Sequence, residues 1–159
     1  MDNSDHACTS PFINLFMPEK SPDVIPMISY EDGVAALEWL ANAFGFVEKR
    51  RLLEPDGQLS HAEMETGNGI IMLGTPTPEY ESPKHHKRNC EAARKWSKVP
   101  WVIDGVLVYV DNIDMHFANA KKAGASILTG LEDGYPGRRY RVEDIEGHRW
   151  MFMQRAATQ

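Results

Sequence analysis

The sequence predicts an α+β fold in which one β-α-β-β-β unit occurs twice. Two observations support this prediction: the chain repeats itself once, and both copies carry the signals of a strand, a capped helix and three further short strands. A repeated supersecondary unit constrains the architecture strongly, because each copy must bury its apolar face against a neighbour.

The repeat is found when residues 28–46 are aligned without a gap on residues 107–125, an offset of 79 positions. The identical pairs in this alignment are Tyr30 with Tyr109, Asp32 with Asp111, Ala41 with Ala120 and Gly45 with Gly124. Both copies also have the same physical order, which is an apolar strand, an acidic residue, a helical stretch and a glycine.

Each helix is predicted from its two ends and from its apolar spacing. Asp32 and Asp111 can accept hydrogen bonds from the free amides that open a helix. Gly45 and Gly124 can adopt the left-handed conformation that ends one. Apolar residues at helical spacing give each helix one face to bury. These residues are Leu37, Ala41 and Phe44 in the first copy and Ile113, Phe117 and Ala120 in the second.

Three strands follow each predicted helix, with turn residues between them. The strands cover Val47–Leu53, Leu59–Glu65 and residues 70–73 in the first copy, and residues 126–128, 138–143 and 149–153 in the second. Residues 75–104 lie between the copies, are rich in proline and charge, and contain one predicted short helix around residues 90–96.

A chain of 159 residues is long enough for one ordinary domain with a sizeable core. We therefore expect an N-terminal tail over residues 1–23 and a single domain over residues 24–155. Within this domain we expect module one at about 24–75, a linker at about 76–103 and module two at about 104–155.

The composition restricts the partners. Acidic residues outnumber basic ones by 23 to 17, and the net charge of −6 repels a phosphate backbone, so we expect no nucleic-acid partner. No apolar run reaches the roughly 18 residues of a membrane span, and the start lacks the order of a signal peptide. We expect a cytoplasmic protein with no membrane partner, in which Cys8 and Cys90 are reduced, incidental thiols.

Several motifs resemble one family. In the first copy, an aspartate followed seven residues later by Trp-Leu (residues 32–40) and the Phe-Gly-Phe of residues 44–46 resemble the first module of the glyoxalase and bleomycin-resistance proteins, the vicinal oxygen chelate (VOC) superfamily. The further motifs are similar to the PhnB-like branch of that superfamily. They are Val-Tyr-Val-Asp-Asn-Ile-Asp (108–114), Ala-Lys-Lys-Ala-Gly-Ala (120–125), Glu-Asp-Ile-Glu-Gly-His-Arg-Trp (143–150), His-Ala-Glu-Met (61–64) and Ile-Met-Leu-Gly (71–74).

The resemblance implies that the two sheets each curl into half of an incomplete barrel around a cleft for a small organic molecule. It also implies a homodimer. In metal-dependent members a divalent ion polarises the substrate, held by His, Gln or Glu on the first and last strands of each module. The equivalent positions here are Ile25, Asp104 and Met151, with no donor in residues 70–73. One donor cannot hold the ion in the family's manner, so we expect no metal and no cofactor.

Other residues are candidates for the cleft. The family's geometry implies that Met27, Arg149 and Met151 face inward as an adaptable floor, although plain core packing would explain the same pattern. His61 and Glu63 lie two apart on a strand and so share a face, where they could bind a cation or move a proton, or simply be solvated.

Three more candidates have equally plain alternatives. Arg139 and Arg141 could bind a carboxylate or phosphate on the ligand, or pair with the acidic residues 143–146. Trp101, like Trp96 in the same linker, could cover a ligand or anchor a dimer. His148, next to a turn, is more often a residue that positions a loop than one that performs chemistry.

Two functions remain open at this point. The missing metal donors favour a metal-independent small-molecule-binding protein, like the drug-sequestering resistance proteins. The alternative is a glyoxalase-type lyase or isomerase, or a dioxygenase, with a non-standard metal site or an acid and base pair carried by His61 and Glu63. A third role, as part of a larger assembly that occludes the cleft, has no support in the sequence.

Overall fold

The computed structural model describes residues 22–101 and 105–156. The strands in this part of the chain are β1 (Met27–Ser29), β2 (Val47–Leu53), β3 (Leu59–Glu65), β4 (Ile70–Gly74), β5 (Gly105–Tyr109), β6 (Ser126–Glu132), β7 (Gly137–Glu143) and β8 (Arg149–Arg155). The helices are α1 (Gly33–Phe44), α2 (Pro83–Asn89), α3 (Glu91–Trp96) and α4 (Ile113–Lys122). None of these helices is long and apolar enough to cross a membrane.

The strands form two separate four-stranded sheets, in the orders β1-β4-β3-β2 and β5-β8-β7-β6. In each sheet the first strand runs parallel to the last strand of its module, and the other neighbours are antiparallel. The predicted α+β class with two β-α-β-β-β modules is confirmed. Within the described residues the two sheets are not joined by strand pairing, so they do not close into a barrel.

Both helix starts follow from side-chain capping, but one of the two predicted caps is wrong. Asp32 accepts a hydrogen bond from the Ala35 amide at 2.9 Å, as predicted. In α4 the cap is Asn112, whose Oδ1 accepts from Met115, and Asp111 lies one residue too early. The reason is packing: Ile113 is 1% exposed, and its burial fixes the first helical residue.

The C-terminal ends of α1 and α4 lie at the glycines that the sequence predicts. Gly45 has a φ of 70° directly after α1, and Gly124 has a φ of 83° after α4. The predicted buried face of α1 is only partly correct, because Ala41 is exposed. The apolar stripe is rotated away from Ala41, since α1 packs against α4 as well as its own sheet. The buried residues of α1 are Gly33, Ala36, Leu37, Leu40, Ala43 and Phe44.

The two modules share one core. Phe44 and Phe46 of module one pack against the last strand of module two, with the Phe44 ring 4.7 Å from Phe152 and the Phe46 ring 5.4 Å from Trp150. Trp150 and Phe152 are 1% and 0% exposed. Burying a large apolar side chain contributes about 1.5–3 kcal/mol, so these contacts hold the modules together.

The segment between the modules contains more structure than the sequence predicts. Helix α3 corresponds to the predicted short helix, whereas α2 has no counterpart in the prediction. Ser82 caps α2 by accepting from the His85 amide, and Pro83 occupies the first turn, where proline is favourable. We call residues 80–99 the strap, because they contact the first strand of module one through Tyr80 and the second sheet through Ser97 and Val99.

Candidate ligand-binding site

Strand register defines the side of each sheet that faces away from α1 and α4, which we call the cleft face. In the first sheet Met27 lies beside Met72, and Met72 lies beside Glu63. In the second sheet Met151 lies between Leu107 and Arg141. Because paired neighbours point to the same side of a sheet, each row forms one continuous surface. The opposite side carries the buried core residues.

Seven of the nine predicted site residues lie on this cleft face. They are Met27, His61 and Glu63 on the first sheet and Arg139, Arg141, Arg149 and Met151 on the second. Trp101 follows the strap and is 71% exposed. Asp104 lies outside the described residues.

A cavity of about 570 Å³ lies between the strap and the first strands of the two modules. Its walls include Met27 and Val106 from the first strands of the two modules and Trp96 from the strap. Of the predicted site residues, Met27 and Arg149 line this cavity, whereas the other five on the cleft face do not. Its volume is within the range of about 300–1,000 Å³ that is typical of small-molecule sites.

The strap is fastened to the second sheet by a chain of charged groups. Arg149 is 7% exposed and donates to the carbonyl oxygens of Val99, at 2.6 Å, and Ser97. Its Nε lies 3.3 Å from Glu143, and Lys87 of the strap donates to both oxygens of the same carboxylate at 2.9 Å. The guanidinium of Arg149 therefore joins the sheet to the strap.

The other end of the strap is fastened to module one. The Tyr80 hydroxyl donates to the Ser29 carbonyl at 2.9 Å, and the Glu31 carboxylate accepts from the Ser82 amide at 2.6 Å. His85 Nδ1 lies 2.8 Å from the same carboxylate. Burial alone would raise the pKa of Glu31, but the hydrogen bonds from Ser82 and His85 together hold it below its usual value.

His61 and Glu63 form a pair on the cleft face outside this cavity. Nε2 of His61 lies 3.2 Å from Oε1 of Glu63, and the two side chains are 31% and 27% exposed. A histidine in hydrogen-bond contact with a carboxylate, open to solvent on one side, is able to exchange a proton with a bound molecule.

Arg139 and Arg141 are paired with an acid, but not with one of residues 143–146. Both lie near Glu132, with nitrogen to oxygen distances of 3.7 and 3.5 Å. The sequence missed this partner because β6 extends to Glu132, four residues beyond the predicted strand, and so reaches the register of Arg139.

The side chains at the family's metal positions do not fit a divalent ion. Ile25 and Met151 offer no hard donor, and β4 offers none. Across residues 22–101 and 105–156, no group of three or more His, Cys, Asp or Glu side chains comes together that could hold a metal ion.

Comparison with known proteins gives the same architecture. The family model described as the Glyoxalase/Bleomycin resistance protein/Dioxygenase superfamily matches residues 26–152. TioX from Micromonospora sp. ML1 is 31% identical, with a TM-score of 0.61 over 87% of this chain and 99% of that structure. The uncharacterized protein Mb0911c of Mycobacterium bovis is 31% identical over 84% of this chain and 83% of its own length.

A more distant solved structure has the same fold. The bleomycin-binding protein from Streptomyces verticillus, solved with copper(II)-bleomycin, is 14% identical, with a TM-score of 0.54. The alignment covers 86% of this chain and 98% of that one.

Proposed function

Because the chain belongs to the glyoxalase/bleomycin resistance protein/dioxygenase superfamily, we propose that it is a metal-independent small-molecule-binding protein, comparable in role to the resistance proteins of that superfamily. The observation that carries this proposal is the cavity of about 570 Å³ between the strap and the first strands of the two modules. The composition of its walls supports the proposal: Met27, Val106 and Trp96 offer apolar surface to an organic ligand.

Metal independence is part of the proposal. It rests on the side chains that stand at the positions of the family's metal ligands. Ile25 and Met151 stand where metal-dependent members carry ligands, so a ligand would be held by apolar contact and hydrogen bonds. The bleomycin-binding protein with the same fold binds its drug as a copper complex. That neighbour therefore binds an organic ligand, which agrees with the proposed class of partner.

A second function is favoured by one specific contact. The His61 and Glu63 side chains, 3.2 Å apart on the cleft face, could act as an acid and base pair in a lyase, an isomerase or a dioxygenase with a non-standard site. A molecule larger than the cavity would extend along the cleft face toward this pair.

We also propose that the chain is a member of the PhnB-like branch, as its motifs suggest, that residues 24–155 form one domain, and that the protein is a cytoplasmic homodimer. The shared core of the two modules supports the single domain. Exposed apolar side chains on the cleft face, among them Leu107 and Tyr109 at 41% each, support the homodimer.

The binding proposal is tested by titrating chelator-treated protein with a panel of apolar aromatic compounds and measuring affinity by calorimetry. We expect saturable binding that the chelator does not change, with no product formed. Met27→Glu places a charge in the cavity wall and should weaken binding at least about tenfold. Met115→Glu, the same change at an exposed position of α4, is the matched control and should leave affinity unchanged. Equal affinities for the two variants would contradict the proposed site.

The same experiment decides between the two functions. Product formation from a bound compound, lost in His61→Ala while the fold and the affinity remain, would replace the binding role by the catalytic one. Turnover that survives His61→Ala would remove this pair from any mechanism.

A further inference from the structure

Two arginines lie side by side on the cleft face of the second sheet. Arg139 and Arg141 are two positions apart on β7, so they point to the same side of the strand. The residues that alternate with them, Tyr140 and Val142, are fully buried in the core. The two arginine side chains are 25% and 20% exposed. A molecule in solution can therefore reach them from the cleft.

The two guanidinium groups converge on one acid. Nε of Arg139 lies 3.7 Å, and Nη1 of Arg141 lies 3.5 Å, from the same oxygen atom, Oε2 of Glu132. Within the described residues neither arginine has a second ion-pair partner. Two positive charges thus share one negative charge, and the two like charges repel each other. The cluster is left with one positive charge that is not balanced.

The contacts with Glu132 are also long for charged groups. Hydrogen bonds between charged nitrogen and oxygen atoms are usually about 2.7–2.9 Å long. On the opposite face of the same strand, Arg138 lies 2.9 Å from Asp114. Arg139 has one further contact, a hydrogen bond of 3.4 Å to the neutral carbonyl of Tyr135. Glu132 therefore holds neither arginine tightly, and both keep hydrogen-bonding capacity for another anion.

Apolar surface adjoins the arginine pair. Met151 lies directly beside Arg141 in the register of β7 and β8, and its side chain is partly exposed. A thioether side chain adapts its shape to the body of an organic molecule. Neither arginine lines the cavity next to the strap, so the pair and Met151 form a separate part of the cleft face.

We propose that Arg139 and Arg141 form a binding site for an organic carboxylate, with the apolar body of the ligand on Met151. One carboxylate balances the one positive charge that Glu132 leaves, and its planar shape matches the fork of a guanidinium. The chain has a net charge of −6 and repels an anion in general, so this arginine pair gives the anion a defined place. The site goes beyond the proposed binding function and does not depend on it.

The test compares 2-naphthoate with 2-naphthamide, a neutral molecule of nearly the same shape. On the full-length protein in low salt we expect calorimetry to show at least about tenfold tighter binding of 2-naphthoate, the effect of hydrogen bonds to a charged group. This preference should shrink as salt is added, because salt screens exposed charges. Arg141→Gln should remove most of it. Arg138→Gln, which removes the same charge from the other face of β7, is the matched control and should leave it unchanged.

A second variant keeps both arginines and removes their present partner. Glu132→Gln takes away the carboxylate that competes with the ligand, so 2-naphthoate should bind about threefold more tightly, the effect of one exposed charge. Asp133→Asn changes the net charge by the same amount at the neighbouring position, where the acid pairs with Arg138. This control should leave the affinity unchanged.

The outcomes are distinct. A preference for 2-naphthoate that persists in Arg141→Gln, in protein whose circular dichroism and gel-filtration volume match the wild type, overturns the role of the arginine pair. Equal binding of the two probes to the wild type overturns the carboxylate site. The proposed binding function is decided separately, because its cavity is tested with neutral compounds and with Met27→Glu.

Discussion

Asp144 joins the two modules through a single buried carboxylate. The side chain is 5% exposed and accepts hydrogen bonds from the Tyr30 hydroxyl at 2.7 Å and from Trp150 Nε1 at 3.0 Å. It also accepts from the amides of Glu146 and His148 in its own turn. Burial, and next the negative charge of Asp144, raise the pKa of Tyr30 well above its usual value. Tyr30 therefore stays a hydrogen-bond donor at any physiological pH.

Asp144→Ala should lower the free energy of unfolding by about 3 kcal/mol, because it leaves the buried donors of Tyr30 and Trp150 without an acceptor. Asp114→Ala is the matched control: Asp114 pairs with Arg138 on the surface at 2.9 Å, and such pairs contribute about 0–1 kcal/mol. Urea unfolding of both variants measures the difference. Similar losses in the two variants would show that the Asp144 network does not hold the modules together.

His116 links three elements and should make stability depend on pH. Its Nδ1 lies 2.7 Å from the Tyr140 hydroxyl and its Nε2 lies 3.1 Å from the Phe44 carbonyl. Burial lowers the pKa of His116 below 6.5, while the contact with Phe44 acts in the opposite direction. The unfolded chain thus takes up a proton at a higher pH than the folded protein. Stability is therefore complete above pH 6.5 and declines as the pH falls below it.

We expect the free energy of unfolding to fall less steeply between pH 7 and pH 5 in His116→Gln than in the wild type, since glutamine does not titrate. Comparison of the two slopes separates His116 from the other histidines. An NMR titration of the His116 ring checks the premise directly, and a midpoint at or above pH 6.5 would contradict it.

The strap is the element whose attachment depends most on individual side chains. Helices α2 and α3 are short, with seven and six residues, and isolated helices of this length are unstable in water. Ala93 is the one buried residue of these two helices. The strap must therefore be held by its contacts with the sheets, through Arg149 at one end and Glu31 at the other.

Arg149→Met removes the hydrogen bonds to the carbonyls of Ser97 and Val99 and leaves Lys87 as the strap's contact with Glu143. We expect amide hydrogen exchange in residues 91–99 to become at least about tenfold faster, while β7 and β8 stay protected. Lys122→Met, at the exposed end of α4, should leave exchange in the strap unchanged. Unaltered strap exchange in Arg149→Met would show that other contacts suffice to hold it.

Among the secondary-structure elements, the strands are easier to predict from the sequence than the helices of the strap. The bounds of β2 and β3 follow from turn residues on either side and from alternation in β3, which are local signals. Helix α2 was missed because Lys84 to Arg88 is a charged run without apolar spacing, and the helix depends on its cap and on contacts with the β7–β8 turn. Local sequence carries no record of those contacts.

Only part of the candidate site could be predicted from the local sequence. The position of Met27 on the cleft face follows from strand alternation, which is visible in the sequence. The contacts of Arg149 with Ser97 and Val99 join residues about fifty positions apart, and the acceptors are backbone carbonyls that any residue type provides. No pattern of side chains could have indicated them.

The molecule as a whole presents apolar side chains on the cleft face that a single chain leaves exposed. Leu52 is 45% exposed on the first sheet, and Leu107 and Tyr109 are each 41% exposed on the second. Clustered exposed apolar groups mark interaction surfaces in soluble proteins. A second copy of the chain is the partner that we propose for this surface.

Light scattering after gel filtration should therefore give twice the chain mass of 18.0 kDa. Leu107→Asp, which places a charge in the proposed interface, should shift the protein toward the monomer at micromolar concentration. Met115→Asp is the control, because Met115 is 60% exposed on α4, on the other side of the sheets from the cleft face. A monomeric wild type would contradict the homodimer.

The methionines of the cleft face give this surface a chemical vulnerability. Met27 and Met72 lie side by side on the first sheet, and Met151 lies on the second. Peroxide converts a thioether into a polar sulfoxide, and the most exposed methionine, such as Met27, reacts first. Oxidative stress would therefore turn an apolar floor into a polar one without changing the fold. A compound seated over these residues would protect them, so the rate of methionine oxidation reports occupancy of the cleft.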